Sequence, residues 1–276
     1  MVEIAVAERD GVGADGAPRP TEDHVAVLDN AVVVLDGATS PHPDLPSGGW
    51  YASLLVHSLS QALSAEPEAD LSILLAESIA DVARRESLAP GRSPSSTVAI
   101  ARWTDDTVDG LVLADSPIVA FGPSGADPLT DDRLVSLRDG GQLRTGADVR
   151  AKRNAPDGFW VAEAEPKAAA EAVRRSWPRS EVEALLLATD GVAIGVDEYA
   201  LFDWPEVLAI SRQRGPDAVL DAVRTAEKQD PDGDRWPRAK RHDDQLLVLI
   251  ELGVAPGKNR GLPGSEICGR ASTLDA

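Results

Sequence analysis

The sequence predicts an α+β protein, antiparallel sheets with helices packed outside them. Three observations carry this. Apolar, β-branched runs recur near both ends and in the middle of the chain, separated by turn residues. Helical periodicity falls into separate blocks, at residues 50–86 and beyond residue 166. The order is therefore strands, two helices, strands, helices and a last strand, with hairpins in place of strict strand–helix alternation.

Residues 1–35 read as two strands around the Gly/Pro loop DGVGADGAPRPTED. The strands cover Val2 to Glu8 and His24 to Leu35. Asp29-Asn30 turns the second into a hairpin whose last strand ends at Asp36. Trp50 to Leu63 places Leu54, Leu55, Leu59 and Leu63 at helical spacing, and Leu71 to Glu86 does the same with Ile73, Leu74, Ile79 and Val82. Strands resume in SSTVAIARW, DGLVLADSPIVAFG and the shorter DRLVSLR. Residues 139–158 are polar and patternless, a surface excursion. FWVAEAEP is strand-like, and its Trp160 is a core candidate. Pro166 to Ser176 reads as a helix with its proline tolerated at the start. EVEALLLATDG is an apolar run ending in Thr-Asp-Gly. Trp204 to Arg212 and Asp217 to Glu227 read as helices, and HDDQLLVLIEL as a last buried strand. Between them lies a charged loop, residues 228–241. Its run from Arg235 to Arg241 is a solvated face, or else a lure for a phosphorylated partner. No repeat or linker divides the chain. Residues 1–252 form one domain, and residues 253–276 a polar tail expected to be flexible.

Composition narrows the function. The chain has 276 residues, enough to bury a sizeable core. Its net charge of −19 argues against nucleic acid and anionic membrane as partners and suits the collection of divalent cations. The single cysteine, Cys268, excludes an intrachain disulfide framework and a cysteine-based zinc cluster. Only four histidines are present; His24, His57 and His242 read as core or surface residues, since hard cations favour oxygen. No apolar run reaches membrane-spanning length, and the N-terminus lacks a basic segment followed by an apolar one. A cytoplasmic monomer is expected.

Four apolar segments end in, or open on, aspartate: VVVLD at Asp36, LVLAD at Asp115, LLLATD at Asp190, and Asp243-Asp244 before QLLVLIEL. Glu22-Asp23 precedes another strand. Singly, each is a turn or cap residue, because Asp-Gly favours turns. Together they place carboxylates at strand ends, where the sheet holds them rigidly. Clustered carboxylates repel, and hard divalent cations relieve that repulsion. Two such ions roughly 3.5–4 Å apart can activate a water and polarise a phosphoryl group. That chemistry needs neither a nucleophilic cysteine nor a Ser–His pair.

The order of these motifs resembles the metal-dependent Ser/Thr phosphatases of the protein phosphatase 2C family, in particular its compact bacterial members. Glu22-Asp23, VVVLDG with Asp36-Gly37, Ser95-Ser96-Thr97, Ala114-Asp115-Ser116, Thr189-Asp190-Gly191 and the Asp243-Asp244 pair stand in the family's order across residues 1–252. The resemblance implies a four-layer α-β-β-α sandwich and a dinuclear Mg²⁺ or Mn²⁺ centre. Asp36 would bridge both ions, the Gly37 carbonyl and Glu22 would serve one, and Asp190 and Asp243 the other. Asp115 would help to bind a third, weaker ion. The implied substrate is a phosphoserine or phosphothreonine protein, with Asp36 and Asp190 catalytic and Arg19 as the phosphate-binding arginine. The sequence departs from the pattern in three places. Asp36-Gly37 continues as Ala38-Thr39-Ser40, so the histidine that usually follows is missing and His42 is displaced. Arg19 lies three residues before Glu22, where the family has four. Pro117 replaces the arginine after Asp-Ser. The ligand set is retained and the substrate side differs. The alternative is a degenerate member that binds a regulatory partner without hydrolysis.

Overall fold

The computed structural model describes residues 1–38, 44–238 and 240–253. Two antiparallel sheets lie face to face. The first runs, in spatial order, β1 (Glu3–Arg9), β11 (Gln245–Glu251), β10 (Ala184–Ala188), β7 (Ile118–Gly122) and β8 (Gly125–Leu129). The second runs β2 (Asp23–Val27), β3 (Ala31–Ala38), β5 (Val98–Trp103), β6 (Thr107–Leu113) and β9 (Val173–Pro178), with the two-residue β4 (Ser95–Ser96) on the end of β3. Helices α1 (Gly48–Ala65) and α2 (Leu71–Arg85) cover the second sheet. Helices α5 (Asp190–Asp197), α6 (Trp204–Arg214) and α7 (Asp217–Gln229) cover the first.

Alternation along the strands builds these four layers. In β3, Ala31, Val33 and Leu35 face α1 and α2, while Val32 and Val34 face the other sheet. In β11, Leu247 and Leu249 face α5–α7, while Leu246, Val248 and Ile250 face inward. Both faces of each central strand are buried, so these strands read as continuous apolar runs. The predicted layering is what the chain forms. The β2–β3 hairpin turns at Asp29-Asn30 as expected, with Asp23 opposite Asp36. Caps fix the helix starts: Ser47 Oγ accepts from Trp50 N (3.1 Å), and Asp70 Oδ1 accepts from Ser72 N (2.8 Å).

Four local expectations are corrected. DRLVSLR is a helix, α3 (Arg133–Asp139). Asp131 accepts from Arg133 N and Nε and from Ala114 N, which turns the chain into a helical start. Leu134 and Leu137 then meet Phe159 and Val161 at a spacing of three, not two. The polar stretch 139–158 contains a short capped helix, α4 (Gly146–Lys152), with a Thr145/Asp148 capping box. Pro166 to Ser176 splits into a 3₁₀ turn (Pro166–Glu171) and edge strand β9, because Val173 to Pro178 completes the ladder on β6. FWVAEAEP makes only isolated bridges, Arg153 with Phe159 and Ser96 with Ala162, although Trp160 is buried as expected. Strand β8 and helix α5 had no reading in the sequence. Thr39, Ser40 and His42, and the tail with Cys268, lie outside the described residues.

Candidate metal centre

Asp36-Gly37 is not a turn. It lies inside β3, which continues to Ala38 and pairs with β4. The Ser-Ser-Thr segment clamps its backbone. Asp36 N donates to Thr97 Oγ1 (3.0 Å), and Asp36 O accepts from Thr97 N (2.9 Å) and Ser96 Oγ (2.9 Å). Thr97 Oγ1 lies 2.6 Å from Ser116 Oγ, which ties this strand to the residue after Asp115. Gly37 is dictated by close approach: a Cβ there would sit 2.3 Å from the Gly48 carbonyl carbon at the start of α1. Asp190-Gly191 is not a turn either. Asp190 opens α5 directly after β10. A Cβ on Gly191 would lie 1.9 Å from Asp244 O, so the Asp190 loop and the Asp243-Asp244 strand are packed backbone to backbone.

Asp36, Asp115, Asp190 and Asp243 are half-buried and come from four different segments. Burial raises the Asp36 carboxyl well above the usual carboxylate range, and Asp190, Asp23, Asp243 and Asp115 add to it. Asp190 is pushed up to about 7 by burial, then by Asp243 and Asp115, with a hydrogen bond to Asp36 opposing the rise. Asp115 is raised by burial and by Asp131 and Asp243, against the pull of Arg138. Asp115, Asp190 and Asp243 line one cavity of about 600 Å³ with Arg138, Arg238 and Lys240.

Glu22, Arg19 and Asp244 line a neighbouring cavity of about 800 Å³, and Lys240 lines both. Glu22 Oε1 accepts from Gly49 N (3.2 Å) in the first turn of α1, where the helix dipole favours a carboxylate. Gly37 N donates to Glu22 O (3.0 Å), which fixes Glu22 beside Asp36. Arg19 is exposed and paired with Asp15 (2.9 Å), four residues away.

Three further residues, Asp23, Asp244 and Lys240, belong to the centre. Asp23 is buried; its Oδ2 accepts from Thr189 Oγ1 (2.9 Å), and its Oδ1 has no hydrogen-bond partner. Asp244 is buried and structural: Oδ1 accepts from Gly11 N (2.7 Å) and Oδ2 from Glu22 N (3.4 Å). Lys240 places its ammonium 2.5 Å from Asp243 Oδ1 and 3.6 Å from Asp244 Oδ2. The Arg235–Arg241 run is therefore not a uniformly solvated face. Arg238 also turns inward, onto Asp230 (3.0 Å). His242 is buried against Glu227 (2.6 Å), and His57 is on the surface beside Gln61 (3.0 Å), both away from a ligand role.

The donor set fits a hard divalent cation: oxygen donors only, held on rigid elements, mutually repelling, with a buried carboxylate oxygen unpartnered beside them. Among the described residues no three His, Cys, Asp or Glu side chains converge tightly enough to chelate one ion. Asp36 and Asp190 are hydrogen-bonded to each other, and Lys240 Nζ donates to Asp243 Oδ1.

This electrostatics sets a pH dependence. Asp23, Asp36, Asp115 and Asp190 bind protons more tightly in the folded chain than at the ordinary aspartate value of 3.8. Glu227, buried and pushed up to about 7, behaves alike. Such groups add stability as pH falls from about 7 toward 4. His242, depressed to about 4 mainly by burial, acts oppositely below its ordinary 6.5, but it is one group against five. In chelator, the melting temperature should be higher at pH 6 than at pH 8. Saturating Mn²⁺ should reverse the order, since ligands must be ionised. A melting temperature that rises steadily with pH in chelator would contradict the clustered-carboxylate picture.

Two sheets between helical layers, with an acidic cleft at their ends, define the class to which the chain is now assigned. Residues 19–223 match the family model described as protein phosphatase 2C, and the chain belongs to that family. The match stops before Lys240, Asp243 and Asp244. Among solved structures, the chain is similar to the catalytic domain of the serine/threonine phosphatase PstP in complex with two manganese ions. Identity there is 13%, TM-score 0.59, covering 91% of this chain and 97% of that one. Stp1 from Staphylococcus aureus gives 15% identity, TM-score 0.60 and coverage of 91% and 95%. PppA from Pseudomonas aeruginosa gives 15%, 0.60, 91% and 97%. At these identities the likeness is one of fold. No curated protein matches the chain by sequence. Among the described residues no helix is long and apolar enough to cross a membrane.

Proposed function

We propose that the chain is a metal-dependent phosphatase acting on phosphoserine and phosphothreonine in proteins. The observation that carries this reading is that Asp115, Asp190 and Asp243, from three segments, line one cavity, with Asp36 hydrogen-bonded to Asp190. Asp36, Glu22 and the Gly37 carbonyl would hold one Mg²⁺ or Mn²⁺, and Asp36, Asp190 and Asp243 a second; Asp115 is suited to a third. When bound, the ions supply an activated water and positive charge against the phosphoryl oxygens. The chain's own residues orient and hold. The Ser96 and Thr97 hydroxyls and backbone keep Asp36 fixed, Asp244 ties the Gly11 and Glu22 loops together, and the α1 N-terminus steadies Glu22. Arg19, which lines the Glu22 cavity, would exchange Asp15 for a substrate phosphate, which a guanidinium matches bidentately.

One observation favours the second reading, a phosphatase-like module that binds a partner without hydrolysis: the Lys240 ammonium already rests on Asp243. Turnover separates the two. Ala38 follows Asp36-Gly37 where a proton-donating histidine would be expected. General-acid help contributes on the order of 10²–10⁴-fold, needed for a serine alkoxide and hardly at all for nitrophenolate. Purified protein with Mn²⁺ should therefore turn over p-nitrophenyl phosphate clearly and phosphoserine peptides more weakly, and Asp190→Asn should abolish both. Wild-type protein that binds Mn²⁺ but hydrolyses neither above the Asp190→Asn background would establish the binding module instead.

A further inference from the structure

We infer that Lys240 is a tethered cation that holds the acidic cleft in competition with divalent metal. The inference rests on the metal-centre reading and deepens it.

The geometry is specific. Among the described residues, Lys240 is the Lys or Arg side chain that ion-pairs with the Asp243-Asp244 pair. Its Nζ lies 2.5 Å from Asp243 Oδ1, and its side chain is two-thirds buried. It lines both the Asp115–Asp190–Asp243 cavity and the Glu22–Arg19–Asp244 cavity, the wall where the two meet. Burial opposes its charge, yet Asp243, Asp244 and Asp36 together hold its pKa above the usual lysine range.

The loop behind it is anchored. Asp230 accepts from Arg235 N (3.1 Å) and Trp236 N (3.0 Å) and pairs with Arg238, while Arg238 Nη2 donates to Glu227 O (3.1 Å). On the other side Val12 N donates to His242 O (2.8 Å). Asp243 Oδ1, already accepting from Asp244 N (2.9 Å), is engaged by the ammonium as well. An arriving ion that takes this oxygen must displace Nζ.

Two consequences separate this role from an ordinary surface ion pair. Removing the ammonium should strengthen metal binding, because nothing then competes for Asp243. It should also weaken the metal-free protein, because its carboxylates lose their counter-charge. Loss of an opposite charge at this range is expected to change affinity by about tenfold or more.

The test is titration calorimetry with Mn²⁺ and thermal unfolding in chelator and in Mn²⁺, on wild type, Lys240→Met and Lys240→Arg. Lys240→Met should bind Mn²⁺ about tenfold tighter or more, melt lower in chelator and gain more from Mn²⁺ than wild type does. Lys240→Arg, which keeps the cation, should stay near wild type in both. If Lys240→Met folds only when prepared in Mn²⁺, the lysine stands in for the metal as inferred; failure to fold in either condition overturns the inference. Equal or weaker Mn²⁺ binding by Lys240→Met overturns it while leaving the metal centre standing. No binding by wild type and Lys240→Met alike removes the metal centre and the inference with it.

Discussion

Asp36→Asn is expected to remove Mn²⁺ binding in calorimetric titration and, in chelator, to raise the melting temperature. Asparagine keeps the size of the side chain and leaves the Thr97 and Ser96 clamps on the backbone untouched. It deletes the one charge that Asp190, Asp23, Asp243 and Asp115 all oppose. Its amide can also donate to Asp190, replacing a hydrogen bond that otherwise needs a proton held between two acids. Relief of a like-charge contact is worth on the order of 1 kcal/mol, or roughly 2–4 °C in a chain of this size. The effect on metal is far larger, because Asp36 is the carboxylate assigned to both ions. The two readouts move in opposite directions, which a general loss of structure cannot imitate. Wild-type Mn²⁺ affinity in Asp36→Asn would end the assignment of this residue as a ligand.

How far the molecule could be read from its sequence depended on the range of the forces involved. Alternation is local, so the buried runs of β3, β10 and β11 and the stripes of α1 and α2 were legible. Asp36-Gly37 and Asp190-Gly191 were ambiguous because glycine serves turns and close contacts equally well. Here both serve close contact, Gly37 against Gly48 and Gly191 against Asp244, over long sequence separations. The stretch that became α3 has strand-like composition, and a carboxylate two residues upstream, Asp131, decided for the helix. The cleft's acidic members were visible as strand-end aspartates. Lys240 was not, because nothing in a run of Arg and Lys marks which member folds inward. That depends on Asp230 at the start of the loop, Glu227 on α7 and Val12 near the N-terminus. Asp23 stood beside Glu22 in the motif, but its burial against Thr189, the residue before α5, is a tertiary fact.

Gly191→Ala should be the most damaging single-methyl change in the centre. The added carbon would lie 1.9 Å from Asp244 O and 3.3 Å from Asp243 Cβ, and the nearest obstacle is backbone, which cannot rotate away. The segment is stitched on both sides. Thr189 N donates to Leu246 O (3.0 Å), Leu246 N to Thr189 Oγ1 (3.0 Å), and Gln245 Nε2 to Gly191 O (3.0 Å). Relief requires α5 to move off β11, which breaks those bonds and separates Asp190 from Asp243. Overpacking of this kind typically costs about 1–3 kcal/mol, and loss of stitched hydrogen bonds adds to it. Urea unfolding should shift to clearly lower denaturant, and Mn²⁺ affinity should fall with it because the second ion's ligands no longer share a site. Gly146→Ala is the matched control. Its Cβ would meet only the end of the Arg150 side chain, at 3.5 Å in α4, and helix propensity favours alanine there by up to about 1 kcal/mol. An unfolding midpoint for Gly191→Ala equal to that of Gly146→Ala would show that the Asp190 loop and the Asp243 strand are not held in backbone contact, and the centre built on that contact would have to be given up.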